Sequence, residues 1–411
     1  MSKWKEYKIG EISTYVNRGI SPLYVEKNGI TILNQKCIRN GKIDFSLSKL
    51  TRPQKSYTLE KKLANEDILI NSTGVGTAGR VALFKNRNIA YVDTHVSIVR
   101  LNQKIAYPKF VFYNLFRRED EIEGYAEGST GQIELGREKI KDIDLLLPAL
   151  NEQKVIASIL ISLDDKIDLL HRQNETLEKM AETLFRLYFI ESNDVHKDFV
   201  NRTFATWISE TVGGEWGKEV PESEYTKAVN CIRGTDIADL NTGLPNKIPV
   251  RYVKDKKFTA IEPKEGDLII EISGGTESQS TGRICYINEH VKTLFNYPIV
   301  FSNFCRLLRI KKPEYSFFVY CYIHYLYSQD EFFNLENGSS GIKNLDYKAL
   351  IFELEYRMPA SDKLILKFHE DVSPLFSKIN QNKSQICSLT TLRDTLLPKL
   401  MSGEVKVTMR G

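Results

Sequence analysis

Residues 151–189, NEQKVIASILISLDDKIDLLHRQNETLEKMAETLFRLYF, place Ile156, Leu160, Leu163, Ile167, Leu170, Asn174, Leu177, Ala181, Leu184 and Tyr188 at alternating three- and four-residue steps. That spacing is the a/d seam of a coiled coil. A helix of about 39 residues rises roughly 58 Å, longer than a small domain is wide, so it needs a partner along its apolar stripe. The chain supplies one near its far end. Phe368, Val372, Leu375, Ile379, Asn382, Ile386, Leu389, Arg393, Leu396 and Leu400 repeat the pattern, and Gly403 supplies a stop. Pro374 and Pro398 are expected to kink or fray this second helix near its ends, because each removes a backbone donor. One asparagine interrupts each seam, Asn174 and Asn382, and a buried polar residue at such a position sets register at some cost in stability. The expectation is an antiparallel pair of helices within one chain.

The segments preceding the two helices resemble each other. Short apolar, β-rich runs at 30–33, 67–71, 81–84 and 96–101 read as strands, followed by a helix after Tyr107-Pro108 and an exit strand over 142–147. Asp67-Ile68-Leu69-Ile70 is echoed by Asp267-Leu268-Ile269-Ile270, Gly79-Arg80-Val81 by Gly282-Arg283-Ile284, and the Gly-Ser-Thr-Gly loop at 128–131 by Gly-Ser-Ser-Gly at 338–341. The offset stays between about 200 and 211 residues. Two copies of one domain, each followed by a long helix, are the simplest reading. The apolar run 315–327 is too short to cross a bilayer and reads as a buried helix, and the first residues lack the apolar core of a secretion signal. A cytoplasmic protein with reduced, structural cysteines is expected, since the six cysteines show no ligand-like spacing and no metal site can be argued.

Charge separates the copies. Residues 1–150 carry 24 Lys and Arg against 17 Asp and Glu, a net +7, whereas residues 190–360 carry 20 against 24, a net −4. The first copy has the balance of a polyanion binder and the second does not. The helix at 151–189, with 5 basic and 7 acidic residues, does not read as a DNA-gripping element.

Catalytic signatures are missing. Gly74-Val75-Gly76-Thr77-Ala78-Gly79 fits GxGxxG, but the next residues, Arg80 to Phe84, read as a strand rather than the helix whose N-terminus a dinucleotide would need. The second copy lacks the motif altogether. Asp164-Asp165-Lys166 falls between the seam positions Leu163 and Ile167, so these charges are expected on the solvated face of the helix. No phosphate loop, methyltransferase tetrad or nucleophile triad can be argued.

What remains is polar loops at matching places. In the first copy Arg18, Ser21, Asn34, Gln35, Lys36, Asn71, Thr73, Thr77 and Arg80, with Ser129, Thr130 and Gln132, offer groups that read base edges or hold phosphates. In the second copy the candidates are Arg233, Arg251, Ser273, Thr276, Ser278, Gln279, Thr281 and Arg283, then Ser339, Ser340 and Lys343. Arg251, Lys254, Lys256 and Lys257 form a local basic group that could offset the acidic balance. The residues leave three readings open: a DNA-recognition scaffold, a self-contained methyltransferase or nuclease of unusual motif, and a structural coiled-coil adaptor.

The stretch Leu147-Pro148-Ala149-Leu150-Asn151-Glu152-Gln153, with Leu163-Asp164-Asp165-Lys166-Ile167, and the stretch Leu392-Arg393-Asp394-Thr395-Leu396-Leu397-Pro398-Lys399-Leu400-Met401-Ser402-Gly403-Glu404 resemble the specificity (S) subunits of type I restriction-modification systems. Trp4 and Gly10-Glu11-Ile12 match the usual entry to the first copy. The resemblance implies an α+β chain of two similar mixed α/β target-recognition domains, at 1–150 and 191–360, separated by two long helices, at 151–190 and 361–405, that form an antiparallel coiled coil. It implies that each domain reads one half of a bipartite, asymmetric site on double-stranded DNA. The implied partners are methyltransferase (M) subunits and a restriction/translocase (R) subunit. No cofactor is expected on this chain; S-adenosylmethionine, ATP and Mg are expected on the partners.

If the helices set the distance between half-sites, inserting four residues between Leu163 and Leu177 lengthens the gap in the methylated motif and leaves both half-sites unchanged. Genome-wide mapping of methylated adenines reads both quantities at once.

Overall fold

The computed structural model describes residues 4–54, 57–85, 89–128, 133–191, 198–244, 248–338 and 343–407. It divides into two compact units, one of residues 1–164 with 391–411 and the other of residues 165–390. Each long helix therefore contributes to both units.

The first unit is built on a four-stranded antiparallel sheet in the spatial order Ser13–Arg18, Val96–Leu101, Ile68–Asn71, Val81–Leu83. Its strands read as continuous apolar runs because both faces are covered. Alternate side chains point to opposite faces. Ile68, Ile70, Val81, Leu83, Val99 and Leu101 pack with the helix Pro108–Phe116 and with Ile156 and Leu160 of the first long helix. Leu69, Ala82, Val96 and Ile98 face the other way, onto Leu33, Cys37, Phe84, Ala90 and Val92. A smaller sheet lies on that second side, where Ala90–Val92 runs parallel to Ile30–Leu33. The expected strands are present, the exit strand in the shorter form Asp144–Leu147.

The second unit repeats this plan strand for strand: Ile208–Gly213, Cys305–Ile310, Leu268–Glu271, Ile284–Tyr286, with Ile299–Phe301 parallel to Tyr225–Ile232. The alternation repeats too. Leu268, Ile270, Ile284, Leu308 and Ile310 face the helix Ser316–Ser328 and the long helices, while Ile269, Cys285, Cys305 and Leu307 face the smaller sheet. Even the sheet-edge ion pair is duplicated, as Arg100–Asp67 at 2.7 Å and Arg309–Asp267 at 2.9 Å. Gly19 and Gly214 mark the same point in each copy. A Cβ on Gly19 would lie 1.9 Å from the Val92 carbonyl oxygen and one on Gly214 2.2 Å from that of Ser302, so no other residue fits where the two sheets meet.

The long helices are Leu150–Arg186, ending in a wider turn Leu187–Glu191, and Lys363–Met401. The second runs unbroken through both Pro374 and Pro398, against the expectation of a kink or fray at each. In the first unit Ile156, Ala157 and Leu160 pack with Leu397, Leu400 and Met401. In the second, Ile167 and Leu170 meet Ile386, and Ala181, Phe185 and Phe189 meet Phe368, Val372, Phe376 and Ile379. Partner numbers fall as helix numbers rise, so the pair is antiparallel. Near the end of the seam burial shifts by one position: Phe185 and Phe189 are buried, Leu184 and Tyr188 half-buried, because two aromatic rings also contact Phe318 and Tyr322 of the globe.

Asn174 and Asn382, read as the register residues of the two seams, meet each other, with Nδ2 of Asn382 donating to Oδ1 of Asn174 at 2.9 Å. Asp164 departs from its expected solvated position. It accepts from Tyr113 Oη at 2.5 Å and from Arg393 Nη1 at 2.9 Å, because a third element, the helix Pro108–Phe116, covers that side of the seam.

Asn382→Leu strands the Asn174 amide in the seam, and is expected to cost about 1–3 kcal/mol. It would appear as a lower urea midpoint with an unchanged slope. Replacing both asparagines by leucine is expected to recover that loss.

Candidate nucleic-acid interface

In each unit an inner strand of the central sheet, Ile68–Asn71 or Leu268–Glu271, runs into a loop beside the smaller sheet, and the two copies can be aligned there by backbone hydrogen bonds. Asn71 N donates to Arg80 O at 2.9 Å, as Glu271 N does to Arg283 O. Ser72 N donates to His95 O, and Ile272 N to Phe304 O, both at 2.8 Å. Asp93 N bonds Leu33 O as Ser302 N bonds Ile232 O. Asn34 and Arg233 each begin a single 3-10 turn, 35–37 and 234–236. The frames coincide and the side chains do not.

In the first unit, Thr73 Oγ1 bonds Gln35 Oε1 and His95 Nδ1, both at 2.8 Å, while Asn71 Nδ2 donates to Gln35 O at 3.0 Å. Asn71 is fully buried and its Oδ1 has no partner among the described residues. Arg18 joins this group through Glu134, 2.6 Å away, which bridges to Thr73 along the chain edge. Ser21 and Lys36 are exposed nearby in sequence, and Asn34 spends its carboxamide oxygen capping Lys36 N at 2.8 Å. Thr77 turns back onto the Thr73 and Gly74 carbonyls, so it shapes the loop instead of reaching outward.

The GxGxxG loop is held by protein, which explains its glycines without a nucleotide. Gly74, Gly76 and Gly79 all have positive φ. Gly76 N donates to Glu123 Oε1 at 2.6 Å, Val81 N to Glu119 Oε1 at 2.7 Å, and Arg80 Nη2 to Gly76 O at 2.6 Å. The helix Glu119–Glu123 therefore occupies donors that a phosphate would otherwise take.

In the second unit, Arg233, Ser273, Thr276, Gln279 and Arg283 line one cleft of about 710 Å³. Trp216 and Phe304 form apolar walls, Phe304 being 55% exposed. Glu271, buried at the base, accepts from Arg283 Nε at 2.9 Å and Nη2 at 2.6 Å. Asp236, also buried, accepts from Arg233 Nε at 2.9 Å and Nη2 at 2.7 Å. Arg251 stacks 4.1 Å from the Trp216 ring and bonds Glu219 at 2.8 Å, so it braces a wall. Ser278 is exposed on the loop.

Three more of the expected contact residues, with Lys254 of the local basic group, are engaged within the protein. Thr281 is fully buried, its N–H on Glu336 at 2.6 Å, and Lys343 is tied to the same carboxylate at 2.8 Å. Arg251 and Lys254 are compensated by Glu219 and Glu224, so the local basic group of this copy is half neutralised. Long-range pairing decides these, and no spacing in the sequence announces it. Ser129, Thr130, Gln132, Ser339 and Ser340 lie outside the described residues. Conversely, Trp216, Asp236, Glu271, Ser302 and Phe304 went unread; the alignment of Asp93 with Ser302 and His95 with Phe304 between copies was the available signal. Among the described residues no group of three His, Cys, Asp or Glu is placed to hold a metal, and no helix is long and apolar enough to cross a membrane.

The two units thus carry one backbone frame with different polar side chains at its mouth. Residues 1–179 match the family model of the type I restriction modification DNA specificity domain. The chain is 25% identical over 377 residues to the type I restriction enzyme MjaIX specificity subunit of Methanocaldococcus jannaschii, covering 85% of this chain and 82% of that one. It is 24% identical to the HindI specificity subunit of Haemophilus influenzae, covering 98% and 100% of the two chains. The fold matches a crystal structure of the type I S subunit from M. genitalium with a TM-score of 0.57 at 18% identity, over 98% of this chain and 97% of that one. Its first 179 residues thus carry a type I specificity domain, and along its length the chain is similar to specificity subunits of type I restriction-modification systems.

Burial lifts the Glu119 carboxyl to about 6, despite the bond from Val81 N. The folded chain keeps this proton where the unfolded chain, near 4.5, has released it, so the contribution is full below pH 4.5 and is lost as pH rises through 6. Glu119→Gln holds the neutral form. It is expected to gain on the parent between pH 4.5 and 7, by no more than about 2 kcal/mol, as followed by urea midpoints across that range.

Proposed function

We propose that each unit reads one half of a bipartite, asymmetric target on double-stranded DNA, and that the chain scaffolds methyltransferase subunits and a restriction/translocase subunit around that target. The observation that carries this is the coincidence of two backbone frames with different side chains at equivalent positions: Asn34, Asn71, Arg80 and His95 in one, Arg233, Glu271, Arg283 and Phe304 in the other. A duplicated scaffold with unlike mouths supports unlike half-sites. Base edges are distinguished by the donors and acceptors set against them, and a change of side chain on a fixed backbone changes that pattern.

The chain supplies recognition and leaves the chemistry to its partners. S-adenosylmethionine belongs on the methyltransferase subunits, ATP and Mg on the motor subunit, and the complex works in the cytoplasm. The net negative balance of the second unit supports phosphate contacts divided between its exposed lysines, Lys256 among them, and the methyltransferase.

Exchanging residues 1–150 for the corresponding domain of a relative changes one half of the methylated motif and leaves the other half intact. A motif that survives the exchange unchanged would overturn the reading, as would methylation or cleavage by this chain without partners.

A further inference from the structure

The two arginines of the second cleft are held in the same unusual way. A guanidinium offers two edges of paired N–H groups, one formed by Nε and Nη2 and the other by Nη1 and Nη2. Glu271 takes the Nε/Nη2 edge of Arg283, and Asp236 takes the same edge of Arg233. Both carboxylates are almost fully buried, at 1% and 3% exposure. Nη1 of each arginine has no partner among the described residues, and both side chains line the one cleft. The second edge of each fork is thus oriented and open.

Two ligands suit an open guanidinium edge, a phosphate and the O6/N7 edge of guanine. Here the charge chooses between them. Each arginine is already matched by a carboxylate, which leaves the pair close to neutral and weak toward a phosphate. A neutral base edge needs aimed donors and little net charge. Fixing each fork in advance lowers the entropy lost on binding, and the Trp216 and Phe304 walls keep water from competing. Ser302, 1% exposed, lines the same cleft, and its hydroxyl has no partner among the described residues.

We propose that Arg283 and Arg233 each read a guanine, so that the half-site of the second unit contains two guanines; this rests on the DNA-recognition function proposed above. The first unit cannot share the code. Asn71 stands where Glu271 does, so Arg80 has no carboxylate to orient it and bonds Gly76 O instead, and Asn34 replaces Arg233.

The test uses the full chain in complex with its methyltransferase subunits. The methylated motif is mapped, the half-site of the second unit is assigned by exchanging the first, and binding is measured on duplexes carrying 7-deazaguanine, which lacks N7, at each guanine of that half-site. Two guanines are expected to respond, each substitution weakening binding at least about fivefold. With Arg283→Lys, which keeps the charge and loses the fork, one of the two positions is expected to stop responding. The analogue experiment on the unaltered complex stands even if the variant fails to fold. A half-site without guanine, or equal binding of guanine and 7-deazaguanine, overturns the inference alone. So does an Arg283→Ala complex that weakens uniformly on all sequences while its salt dependence falls by about one ion, the mark of a phosphate contact. A complex with no sequence preference at all overturns the proposed function and this inference with it.

Discussion

An apolar stripe 37 residues long has to be covered by a surface of comparable length, and the helix Lys363–Met401 is the element that covers it. Apolar burial drives the pairing but is indifferent to sliding, since one leucine serves as well as the next. The Asn174–Asn382 hydrogen bond removes that indifference: a shift along the seam would leave two carboxamides buried against hydrocarbon. Each globe is fastened to the pair by buried polar contacts. Gln153, 1% exposed, bonds Tyr107 N, Ile105 O and Pro148 O, anchoring the first turn of the helix to its globe. Asp164 ties Tyr113 to Arg393, Trp4 lies against Gly403, and in the second unit Asp362 holds Trp207 and Tyr315. Gln153, Asp164, Arg393, Trp4 and Gly403 all lie in the stretches that carry the family resemblance.

The polar mouths obey a different logic. Backbone hydrogen bonds fix the frame in both copies, down to Gly19 and Gly214, whose missing Cβ lets two strands meet. Side chains projecting from that frame are therefore free to differ without disturbing the fold. In the second copy a buried acid and an arginine turn one such position into an aimed donor; in the first, Asn71 and Thr73 link to Gln35 and His95 in a neutral network. A buried carboxylate is costly alone, so each is retained together with its arginine partner.

The strands were legible because a sheet covered on both faces writes itself as an apolar run, and the helices because the heptad is long. The duplication came from both. The misreadings share one cause. Asp164 occupies an outer heptad position, but a helix more distant in the chain covers it; Thr281, Arg251, Lys254 and Lys343 look like free surface groups, but each is engaged by a residue far away in sequence or across a strand pair. Trp216 and Glu271 carry no local mark, since what they do depends on what they meet, whereas Asp236 meets Arg233 only three residues away.

The sequence by itself determined the two copies, the two seams, the register asparagines and the absence of recognisable catalytic motifs, all properties of periodicity and local spacing. Only the tertiary structure decided which polar groups remain available. Desolvation and pairing act between residues brought together by folding, so the choice between an ion pair inside the protein and a donor left open in a cleft is settled where distant segments meet.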